Sequence, residues 1–238
     1  MKRLLLALLF VLLASSMAFA VPLGNYAASI AGGGSQGTLQ DLLDNTFVDN
    51  PINVADQTGV GVWTNTDQVA TAFEVAFLGL TDEGTSFGIY DDNNVGLSYT
   101  FNDDKLYNSF MISATGDLAV NGDYISSGWS GNFGYFLDAG SYWGTFYTED
   151  DQNSDGNHAV SYLIPDGTVD TLAWSGTSTG NNDWVIAFNV NDNVPGGDVD
   201  YQDGVLLVKD MAPVPEPATL LLLGSGLVGL AFLKRRKS

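Results

Sequence analysis

The stretch Asp151-Gln152-Asn153-Ser154-Asp155-Gly156-Asn157 carries the residue types that a calcium ion takes. Oxygen-bearing side chains at alternate positions can converge on one cation, and the glycine that follows them permits the sharp turn this needs. Asp151, Asn153, Asp155 and Asn157 are therefore candidate ligands. In the twelve-residue loop of a helix–loop–helix calcium site the last ligand is a glutamate, whereas this chain has Tyr162 there. Calcium here would need further oxygens, and Glu149 and Asp150 are the nearest. Without a cation the same residues read as a polar hairpin loop between Tyr147 and Val160.

A second acidic group stands near the end of the domain: Asp192, then Asp198, Asp200 and Asp203 within Gly196-Gly197-Asp198-Val199-Asp200-Tyr201-Gln202-Asp203. Asp198 and Asp200 share a side of an extended chain, with Asp203 one bulge or turn away, so three carboxylates could meet one cation. Unneutralised, they would repel.

Catalytic chemistry is poorly supplied. The chain has one histidine, His158, and no cysteine. A hydrolytic triad would have to be built on that one histidine. A lone histidine after an acidic loop reads as a surface residue. Glycoside hydrolysis by paired carboxylates is the less favoured alternative, because abundant aspartate does not by itself show pairing. The expectation is a protein without enzymatic activity. A carbohydrate-binding module is the other alternative, and it requires an exposed platform from residues such as Trp129, Tyr142 or Trp143. Alternating aromatics such as Trp143/Tyr147 and Trp184/Phe188 fit a core better.

These residues need elements to hold them, and the pattern is all-β after one short helix. Thr38 can cap a helix that carries Leu39, Leu42 and Leu43 and ends near Asn45. Beyond it the apolar period changes to two, with turn residues every eight to twelve positions. Phe73, Val75 and Phe77 alternate with small or polar residues. Phe87 and Ile89 precede the turn Asp91-Asp92-Asn93-Asn94, and Leu97, Tyr99 and Phe101 follow it as the return strand of a hairpin. Further strands are expected at 110–114, 124–126, 135–137, 143–147, 159–164, 168–174, 184–188 and 205–208. About a dozen short strands predict two packed antiparallel sheets, a β-sandwich of jelly-roll or immunoglobulin-like type.

The two ends of the chain read differently. Lys2 and Arg3, the apolar stretch Leu4 to Leu13 and the small-x-small site Ala18-Phe19-Ala20 form a signal peptide over 1–20. The mature chain is expected to start at Val21, with a glycine-rich lead-in over 21–37 and the domain over 38–213. Residues 214–238 hold Pro215-Glu216-Pro217, an apolar run over 218–233 and the basic end Lys234 to Lys237. As a helix that run covers about 24 Å, a marginal transmembrane span against a bilayer core of ~30 Å. Basic residues beside both apolar segments place both ends in the cytoplasm and the domain across the membrane.

Between the two ends the charge is lopsided. Residues 21–213 contain Lys105 and Lys209 as the only lysine or arginine, against 27 acidic residues, a net −25, and 24 of the acids are aspartate. Nucleic acid and anionic lipid are poor partners for such a surface, and cations are good ones. Calcium is accordingly the one candidate cofactor. With no cysteine, the exported domain must be held by its core.

The C-terminal arrangement of Pro-Glu-Pro, a glycine- and leucine-rich segment and a basic cluster resembles the PEP-CTERM sorting signal. That resemblance implies export, recognition of Pro215, Glu216 and Pro217 by an exosortase, and removal of the tail. The Gly-Gly-Asp-x-Asp-Tyr-x-Asp stretch, together with Phe87 to Asp91 and Leu39 to Leu43, is similar to a recurrent extracellular domain of unknown function in PEP-CTERM proteins. Asn191-Asp192 departs from that pattern, where a Glu-Asp pair would be expected. The family resemblance further implies a surface or matrix-associated structural protein linked to exopolysaccharide or biofilm, with signal peptidase and exosortase as partners during export.

Overall fold

The computed structural model describes residues 39–49, 52–58, 60–65, 69–76, 86–101, 108–154, 158–170, 182–190, 201 and 203–214. The described chain is mostly β-strand, arranged as three antiparallel sheets with one short helix and one further single helical turn.

The largest sheet has seven strands in the order β11 (Ala159–Leu163), β13 (Trp184–Phe188), β14 (Gly204–Lys209), β3 (Ala70–Ala76), β6 (Asn108–Ile112), β7 (Asp117–Val120) and β8 (Asp123–Ser127). The second runs β15 (Ala212–Pro213), β2 (Trp63–Thr64), β9 (Asn132–Asp138), β4 (Ser86–Asp91) and β5 (Asn94–Thr100), with β10 (Thr145–Tyr147) also paired to β9. A two-stranded pair, β1 (Phe47–Val48) with β12 (Val169–Asp170), makes the third sheet that the alternation pattern did not predict.

Side chains from the two large sheets meet in one core. Trp63 of β2 lies edge-on to Trp184 of β13, with centroids 6.1 Å apart. Phe87 of β4 meets Phe188 of β13 at 6.1 Å, and Phe110 of β6 meets Phe133 of β9 at 5.1 Å. The first and last of these are edge-to-face and the second is tilted; edge-to-face pairs add about 0.5–1.5 kcal/mol each beyond the area they bury.

β13 and β14 are apolar at nearly every position because they serve two cores. Trp184, Ile186, Phe188, Leu206 and Val208 face the second sheet. The alternate residues Val185, Ala187, Val205 and Leu207 face Leu39 and Leu43 of α1 (Leu39–Thr46), together with Phe47, Ile52 and Tyr201. One residue step reverses the face of a strand, so a continuous apolar run is what two-sided burial requires. Gln40 fixes the exit from α1: its amide donates to the Ile52 carbonyl at 2.8 Å and accepts from the Val54 N–H at 3.0 Å.

Several expected strands differ in extent. The strand expected from Trp143 begins only at Thr145, because Gly140–Trp143 forms a single helical turn, α2, ended by Gly144 at a φ of +91°. The 110–114 strand stops at Ile112, and β7, Asp117–Val120, was not expected at all. Phe77 and residues 171–174 lie outside the described residues, as do Thr38, the signal peptide with Ala18 and Ala20, and the apolar run over 218–233. No helix among the described residues is long and apolar enough to cross a membrane.

Candidate functional site

Glycine at mid-strand builds the first site. In the β4–β9 pair, Gly88 stands opposite Phe136 and Tyr90 opposite Gly134. A Cβ on Gly134 would fall 2.3 Å from the Tyr90 ring and hydroxyl, and one on Gly88 would fall 2.3 Å from Phe136. Each aromatic ring therefore lies across a glycine on the outer face of the second sheet. Tyr147 of β10 packs edge-on to Tyr90 at 5.1 Å.

That packing directs the Tyr90 hydroxyl to Glu149, where it donates to Oε2 at 2.8 Å. Glu149 is partly buried, and it adjoins Asp92 of the β4–β5 turn and Asp151 of its own loop. Burial raises its pKa, the Tyr90 hydrogen bond lowers it, and the Asp92 and Asp151 carboxylates raise it again, leaving it pushed up to about 7. Burial, then the charge of Glu149, holds the Tyr90 phenol far above its ordinary range. The arrangement can exchange a proton near neutral pH. The neighbouring Asp91 is buried and structural: its carboxylate accepts the backbone N–H groups of Ser130 and Asn93.

The candidate calcium loop begins beside this cluster. Asp150–Gln152 forms a 3-10 turn, and Asp151 is exposed, its carboxylate accepting from the Gln152 amide at 3.4 Å. Asn153 is turned onto its own loop: its Oδ1 accepts the Tyr147 N–H at 2.9 Å, and its Nδ2 donates to the carbonyls of Tyr147 and Glu149 at 2.9 and 3.0 Å. Asp155 and Asn157 lie outside the described residues. No group of three or more His, Asp or Glu side chains among the described residues is arranged to hold a metal ion.

In the second acidic group only Asp203 is described, Asp192, Asp198 and Asp200 lying outside. Its carboxylate accepts the Val190 N–H at 2.7 Å and its own N–H donates to the Phe188 carbonyl at 3.1 Å, so it joins the two ends of the loop between β13 and β14. Tyr201 is fully buried beneath α1.

Two expectations are overturned. His158 is buried, 1% exposed, with its ring 4.5 Å from that of Phe146 and its Nδ1 2.8 Å from the Asn189 carbonyl. The carbonyl only accepts, so Nδ1 carries the proton. Trp129 is likewise in the core, 4% exposed, its indole N–H donating to Ser126, and cannot belong to an exposed sugar platform. Trp143 packs partly against the core, as Trp184 and Phe188 do fully.

The second site is the exit to the C-terminus. After β14 the chain turns at Asp210, at a φ of +63°, and buries Met211 completely. The Met211 N–H donates to the Asn182 carbonyl, its carbonyl accepts from the Trp184 indole at 3.4 Å, and its sulfur accepts from the Tyr135 hydroxyl at 2.7 Å. Ala212 and Pro213 then pair with Thr64 and Trp63 at the border of the second sheet. Residues 213–237 match the PEP-CTERM protein-sorting motif. The chain carries a PEP-CTERM sorting signal. Its Pro215, Glu216 and Pro217 lie just beyond the described residues, after Val214. The PEP-CTERM motif implies an exported protein sorted by an exosortase, with a membrane-associated precursor. Comparison with curated proteins and with solved structures finds no match.

Glu149, Tyr90 and Asp92 were not foreseen as a group, although Glu149 stood out as a spare oxygen. The available signal was a glycine inside each of two aromatic strands, which marks a place where a ring can cross the backbone.

Proposed function

We propose that this chain is an exported structural or interaction protein, displayed at the cell surface or in the extracellular matrix and without enzymatic activity of its own. The observation that carries the reading is the sorting motif, which continues directly from the last strand of the β-domain. A domain of net −25 that is almost free of basic residues stays soluble and self-repelling outside the cell. In this reading it is a jelly-roll or immunoglobulin-like sandwich, and it associates with exopolysaccharide or biofilm. Calcium bound by the aspartate-rich loops would lower the repulsion. The tail is removed by the exosortase at Pro215 to Pro217, the signal peptide after Ala20.

The test is to express the chain in cells with and without the exosortase and to measure the intact mass of the exported product. Loss of the tail only where the exosortase is present supports the reading; an unprocessed product in both sinks it. Thermal unfolding of that product in calcium, magnesium or chelator at fixed ionic strength tests the cation. A calcium-selective rise supports a site, because simple screening treats the two ions nearly alike.

A second reading, glycoside hydrolysis, is favoured by one observation: Glu149 is a carboxyl raised to about 7 beside the carboxylate of Asp92. Release of reducing sugar from a polysaccharide panel, abolished in Glu149→Gln, would establish it.

A further inference from the structure

Along the chain, one residue separates the folded edge from the processing address. Pro213 is paired in β15, and only Val214 separates it from Pro215. One residue spans at most about 3.6 Å of chain. A protease that binds its substrate in extended form must grip backbone on both sides of the bond it cuts, and here the residues before Pro215 are committed to β2.

The two ends of that commitment differ in strength. Met211 is a fixed post: it is fully buried and bonded through its N–H, its carbonyl and its sulfur. Ala212 and Pro213 form a two-residue strand at the border of a sheet, and Ala212 is exposed. Proline has no N–H to donate, so the strand holds little of the ladder. Short border strands are the segments that open locally without unfolding the rest.

We propose that β15 is a strap: Ala212 and Pro213 leave β2, with Met211 still anchored, before the exosortase can take the Pro-Glu-Pro segment. The freed residues then supply the upstream side of the bound substrate. This rests on the reading that the chain is processed at that tripeptide. It makes the pairing of β15 with β2 a gate on processing and the strap the docking segment for an extended-chain protease.

The chain has no cysteine, so the gate can be locked cleanly. Ala212 and Thr64 are directly opposite in the ladder, a geometry that a disulfide can bridge. The full-length double variant Thr64→Cys/Ala212→Cys and each single variant are exported in cells that contain the exosortase, and tail loss is followed by intact mass. The oxidised double variant should be processed roughly tenfold or more slowly than either single variant, with reductant restoring the rate. A Gly-Ser linker of about eight residues after Pro213, spanning ~16 Å, should restore processing in the oxidised chain. Should the bridge not form, the same linker in the otherwise unaltered chain should speed tail loss. Equal rates for oxidised and reduced chains, or no effect of the linker in the unbridged chain, would overturn the strap. Glu216→Ala processed at the unaltered rate would instead overturn the tripeptide as the address, and the strap with it.

Discussion

Glutamine at position 149 would hold, at every pH, the uncharged form that burial favours in the native protein. Glu149 titrates near 7 when folded and at its ordinary value of 4.5 when unfolded. The native state therefore binds the extra proton between those values, and the stability this contributes is present below pH 4.5 and lost as pH rises through 7. Glu149→Gln should match the parent chain near pH 4.5 and exceed it above pH 7. Because the group is only partly buried, solvent screening reduces the gain to about 1 kcal/mol, or about 2–4 °C in Tm. A melting series from pH 4 to 8 checks this, and a constant difference across that range would refute it. Gly134→Ala acts on the same contact from beneath: its methyl would meet the Tyr90 ring at 2.3 Å, lifting the hydroxyl off Glu149. A cost of about 1–3 kcal/mol is expected in denaturant titration.

At the scale of elements, Asn153 does the work of a strand partner for the segment after β10. Its three bonds to the backbone of Tyr147 and Glu149 hold the loop that carries Glu149. Asn153→Ala should cost about 1–2 kcal/mol and speed hydrogen exchange at the Tyr147 amide, while amides in β13 and β14 keep their protection. The longer elements were legible in the sequence. Period-two alternation placed β4 and β5, apolar runs bounded by turn residues placed β11, β13 and β14, and leucine spacing placed α1. The two-residue strands β1, β2 and β15 are too short to carry a period, and each is fixed by pairing with a strand distant in sequence, whereas β12 falls within the strand expected over 168–174. His158 and Trp129 misled for a related reason: their loops flank the core, and burial of a loop side chain depends on contacts distant in sequence, such as that of His158 with Asn189. Tyr90 and Glu149 are also distant in sequence, so only the glycines beneath the rings could have suggested their meeting.

For the whole molecule, residues 21–213 with their net charge of −25 gain stability from any ion that screens them. Monovalent salt should raise Tm steadily from low ionic strength, and the calcium effect is to be judged above that slope. A flat salt response would mean that the acids are already neutralised by one another's protons or by bound cations. The seven-stranded sheet ties the molecule together in another respect. β13 and β14 are at once the floor of the core beneath α1 and the ceiling of the core shared with the second sheet. Detaching either layer wets one side of strands whose other side is still packed, so neither core has a stable existence without its neighbour. Calorimetric and van't Hoff enthalpies should then agree, and a protease meets the two cores as one closed unit that opens together or not at all.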